Sequence, residues 1–61
     1  MENQVNINIL QYAKKANARV FDTWMAYPSH TETGKENLAR DTAALNRQGF
    51  TTKVVTSILS N

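Results

Sequence analysis

At 61 residues the chain has room for a single domain, near the lower size at which a core without staples can hold a fold. It has no cysteine, which excludes disulfides and thiolate metal sites, and its one histidine, His30, has no partner histidine at ligand spacing. Seven Lys and Arg against five Asp and Glu leave a net charge of +2, a mildly basic balance compatible with nucleic acid but not diagnostic of it.

The first eight residues carry a short alternation, Val5-Asn6-Ile7-Asn8-Ile9, that reads as a strand or an arm. From Ile9 onward the apolar spacing turns helical. Ile9, Ala13, Ala16, Val20 and Trp24 form a stripe flanked by Leu10, Phe21 and Met25, opposite Lys14, Lys15 and Asp22. Asn8 is placed to cap this segment and Pro28 to stop it, so a first helix is predicted over about 9–26. A polar connector follows, Tyr27-Pro-Ser-His-Thr-Glu-Thr33. Thr33 and Glu36 have capping-box spacing, and Leu38, Thr42 and Leu45 make a narrow seam, predicting a second helix over 34–48.

Gly49 is placed to end that helix in the left-handed conformation, with Phe50 folding back onto Leu45 in a Schellman-type stop. A third helix is predicted over 52–60, capped by Thr51 or Thr52, with Val54, Val55, Ile58 and Leu59 on its apolar side. The expected architecture is therefore all-α, a small three-helix domain spanning 1–61 with a possible N-terminal strand.

The string Gly49-Phe-Thr-Thr-Lys-Val-Val-Thr-Ser-Ile-Leu59 resembles the turn and recognition helix of bacterial helix-turn-helix repressors. The resemblance covers the last quarter of the chain. It implies a small regulator of transcription, of the kind encoded by bacteria, phages or mobile elements, that places the final helix in the major groove of duplex DNA. Thr51, Thr52, Thr56 and Ser57 would then contact phosphates or base edges, and Lys53 and Arg47 would neutralise phosphates. Arg40, Lys14, Lys15 and Arg19 would add basic support, or else are ordinary solubilising charges. Val5-Asn-Ile-Asn-Ile9 before two helices also resembles the ribbon-helix-helix repressors, a minor alternative.

The competing expectation is a protein-interaction module, an inhibitor or adaptor for a larger protein, with Tyr12, Phe21, Trp24 and Met25 as its contact surface. A core this thin also predicts a homodimer. No nucleophile–base pair, glycine-rich phosphate loop or metal cluster stands out, so neither catalysis nor a cofactor or metal is expected. No apolar run reaches the roughly 18 residues of a membrane span, and no secretory signal is recognised, so cytoplasmic residence is expected.

Overall fold

A computed structural model describes residues 4–60 and corrects the all-α expectation. The elements run β1 (Gln4–Ala13), β2 (Asp22–Pro28), α1 (Glu32–Arg47) and β3 (Thr51–Ser60). The three strands form one antiparallel sheet in the order β2-β1-β3, with β1 in the centre, and α1 lies against all three. The helix expected over 9–26 is instead the end of β1, a loop and most of β2. The helix expected over 52–60 is β3, and residues 1–3 of the expected arm lie outside the described residues.

Side-chain chemistry explains both corrections. Six of the ten residues of β3 are β-branched, Thr51, Thr52, Val54, Val55, Thr56 and Ile58, which crowd a helix and fit a pleated strand. In β1 apolar residues occupy both faces. Leu10 and Tyr12 point to the helix and Ile7 and Ile9 to the opposite side, so simple alternation is lost along the strand. The connector 14–21 has neither Gly nor Pro to mark a turn, and closes on a hydrogen bond from the Ala18 N–H to the Lys15 carbonyl, 3.2 Å.

The helix over Glu32–Arg47 forms close to its expected bounds. Its cap is Thr31, whose hydroxyl oxygen accepts from the Gly34 N–H at 3.0 Å, rather than Thr33. Glu32 in the first turn and Arg47 in the last complement the helix dipole. At the far end Gly49 takes φ +96°. The Phe50 N–H donates to the Leu45 carbonyl and the Gly49 N–H to that of Asn46, both at 3.0 Å, which is the Schellman pattern.

The core is small. Leu10, Tyr27 and Leu45 are buried together, and Tyr12, Leu38 and Phe50 pack around them. Leu38, Asp41 and Leu45 follow helical spacing along the face of α1 that meets the sheet. Asp41 is tolerated there because it accepts a 2.6 Å hydrogen bond from the Tyr27 hydroxyl. Among the described residues no helix covers the opposite face of the sheet.

Candidate nucleic-acid interface

The topology gathers charge that the sequence scatters. The β1–β2 loop, the C-terminal end of α1 and the N-terminal end of β3 all lie at one end of the sheet, because Ala13 pairs with Thr51 and Tyr12 with both Asp22 and Thr52. That end carries Lys14, Lys15 and Arg19 in the loop, Arg47 in the last turn of the helix and Lys53 in β3. These are five of the seven Lys and Arg in the chain. Asp22 is the acid found there among the described residues, and Lys14, Lys15, Arg19, Arg47 and Lys53 are all exposed. The remaining described acids belong to the helix: Glu32 and Glu36 lie in its first half, away from the loop, and Asp41 is turned to the Tyr27 hydroxyl.

Aromatic rings occupy the same end. Tyr12 lies edge-on to Trp24 on one side, with centroids 5.7 Å apart, and edge-on to Phe50 on the other, at 5.4 Å. The row therefore crosses the sheet from β2 through β1 to the segment entering β3. Trp24 keeps half its surface open to solvent. Phe21, in the loop just before β2, lies beneath the Lys53 ammonium, 4.6 Å from nitrogen to ring centroid. Such a contact holds the lysine stem while leaving its charge outward.

The residues expected to read DNA from a third helix are distributed differently. Thr51, Thr52, Lys53, Thr56 and Ser57 are on β3, so a strand follows the Gly49 turn and the helix-turn-helix geometry is absent. The Thr52 hydroxyl donates to the Asn46 side-chain oxygen at 3.2 Å, and the Thr56 hydroxyl to that of Asn8 at 3.0 Å, so both donors have partners within the chain. Arg47 and Lys53 share the basic end, whereas Thr56 and Ser57 lie farther along β3. Of the expected contact surface, Tyr12 and Trp24 touch, Phe21 pairs with Lys53, and Met25 is half-exposed beside the irregularity in β2.

The grouping of Lys14, Lys15 and Arg19 with Arg47 and Lys53 was not visible in the sequence, where about thirty residues separate the two sets. Once both flanking segments are read as strands, the hairpin and the β3 start must meet, and that is the signal that would have found it.

Among the described residues there is no pocket, and no group of three or more His, Cys, Asp or Glu that could hold a metal ion. No helix among them is long and apolar enough to cross a membrane. What the described residues present is an open surface with a basic, aromatic end. No family model, curated protein or solved structure matches the chain.

Proposed function

We propose that this protein binds duplex DNA through its basic end, without catalysing a reaction. The observation that supports this is the segregation of charge, with Lys14, Lys15, Arg19, Arg47 and Lys53 at one end beside a single described acid, Asp22. Clustered cations release condensed counterions from phosphates and so bind tightly at low salt. The projecting element is the loop of the β1–β2 hairpin, because β1 itself is held between β2 and β3 as far as its end at Ala13. Lys14, Lys15 and Arg19 on its loop contact phosphates. Asn17, exposed at the tip, has an amide able to meet an adenine edge. Arg47 and Lys53 flank the loop and fix its register on the backbone.

Anisotropy titrations at two salt concentrations test this reading. The wild type should bind with a steep salt dependence. Replacing Lys14, Lys15 and Arg19 together by Ala should weaken binding to every sequence and flatten the slope by about three phosphate contacts. Lys35→Ala, at the other end of the molecule, should change little. No duplex binding at low salt refutes the proposal. Tighter binding to a single strand than to a duplex of equal length also refutes it, and transfers the contact to the Trp24–Tyr12–Phe50 row.

A further inference from the structure

The two edges of the sheet are built differently. The β2 edge has seven residues, contains Pro28 and breaks register between the pairs made by Leu10 and Gln11. Short length, proline and a bulge are the devices that keep an edge from pairing with another chain. The β3 edge has none of them. It runs for ten residues in unbroken register with β1, without Gly or Pro, and Lys53 is its sole charge. Every second residue along it directs its N–H and C=O away from β1, with no strand beyond among the described residues. The same strand carries Val54, Val55 and Ile58, each at least 40 % exposed.

We infer that β3 pairs with β3 of a second copy of this chain, antiparallel about a two-fold axis through Thr56, joining two sheets into one of six strands. A two-fold axis perpendicular to the sheet preserves its faces, so residues of equal parity meet and both helices lie on one side. With Thr56 on the axis, Val54 lies opposite the partner's Ile58, and Ile58 opposite the partner's Val54. Two exposed β-branched pairs on the helix-bearing face are thereby covered. Lys53 lies opposite position 59, away from the partner's Lys53, so no like charges meet across the seam.

Charge favours the antiparallel sense. The N-terminal end of β3 is the basic end, and its C-terminal end lies at the end of the sheet from which α1 starts, where Glu32 and Glu36 outnumber Lys35. Antiparallel pairing sets the basic end of each copy alongside the acidic end of the other. A parallel arrangement would set the two basic ends side by side.

The absence of cysteine makes the test direct. Thr56→Cys places two thiols across the axis, within the separation a disulfide spans, and mild oxidation should convert the protein to a cross-linked dimer. Thr52→Cys, whose two copies lie far apart along the seam, should not cross-link. Light scattering after gel filtration should give the wild type twice the 6.9 kDa chain mass at micromolar concentration. The double variant Val54→Lys with Ile58→Lys, which puts like charges opposite one another at both pairs, should give a monomer. Val54→Lys with Ile58→Glu, which makes both pairs complementary, should restore the dimer, and circular dichroism should show both variants folded. A monomeric wild type overturns the proposal, as does a dimer that survives the paired lysines. Equal cross-linking at positions 52 and 56 overturns it too, and should the lysine variant unfold, the cysteine pair alone decides.

Discussion

Tyr27 and Asp41 form the most consequential single contact in this small core. The Tyr27 ring is 2 % exposed, and its hydroxyl must find a partner inside the fold. Asp41 supplies it from the sheet-facing side of α1, and Arg40 adds a longer bond to the same carboxylate, 3.3 Å from Nε. Burial, and next the hydrogen bond to Asp41, raise the Tyr27 pKa from 10.0 to about 12. The bond from Tyr27, and secondarily the Arg40 side chain, hold the Asp41 pKa below its ordinary 3.8. The signs follow from linkage. Tyr27 retains its proton longer in the folded state, so its contribution is complete below pH 10.0 and is lost as pH rises toward about 12. Asp41 releases its proton more readily when folded, so its contribution is present above 3.8 and is lost as pH falls through the depressed value. Tyr27→Phe should lower the urea midpoint at neutral pH and make both the alkaline and the acid losses shallower. A variant with the wild-type pH profile would show that this pair does not govern it.

At the scale of elements, α1 is fixed by a glycine near each end, and the two act for opposite reasons. At Gly34 a β-carbon would overlap the Pro28 carbonyl oxygen and lie 2.9 Å from the Thr31 Oγ1, because the helix starts hard against the end of β2. Helix propensity alone favours Gly34→Ala by about 1 kcal/mol, but overpacking against backbone costs about 1–3 kcal/mol. A net loss is expected. At Gly49 nothing lies within 4 Å of a built β-carbon, so the constraint is φ +96° itself. Gly49→Val should therefore cost about 1 kcal/mol or more through backbone strain. Thermal melts decide both, and an unchanged midpoint for either removes its stated cause. The helix and its stop could be read in the sequence because the Leu38–Leu45 seam and Gly49-Phe50 are local signals, although the capping oxygen is that of Thr31 and not of Thr33. The sheet could not be read that way. Val54, Val55, Ile58 and Leu59 have helical spacing, yet in β3 Val54 and Ile58 share one face of the sheet and Val55 takes the other, and β-branching was the better guide. Likewise Ile9, Ala13, Ala16, Val20 and Trp24 are evenly spaced along the chain but fall on two strands and a loop. The basic end became apparent only after those strands were paired.

The whole molecule is a thin slab, its Cα atoms spanning 43 × 25 × 11 Å, with one helix on one face of three strands. Three buried side chains, Leu10, Tyr27 and Leu45, anchor that layer, and Val54 and Ile58 remain open beside it. Small domains bury a low fraction of their surface, so the area covered by a second copy contributes a large share of the total stability. Pairing through β3 supplies that area and also keeps the two basic ends apart, at opposite ends of the six-stranded sheet. Because association stabilises the folded chain by mass action, the melting midpoint of the wild type should rise with chain concentration. The disulfide-linked Thr56→Cys dimer should melt higher, at a midpoint independent of concentration, since its second strand is always present. The monomeric Val54→Lys, Ile58→Lys variant should melt lowest and equally without concentration dependence. If the wild-type midpoint instead stays constant over two decades of concentration, the three-strand unit is sufficient by itself. DNA binding by the basic end would then have to be explained for a monomer.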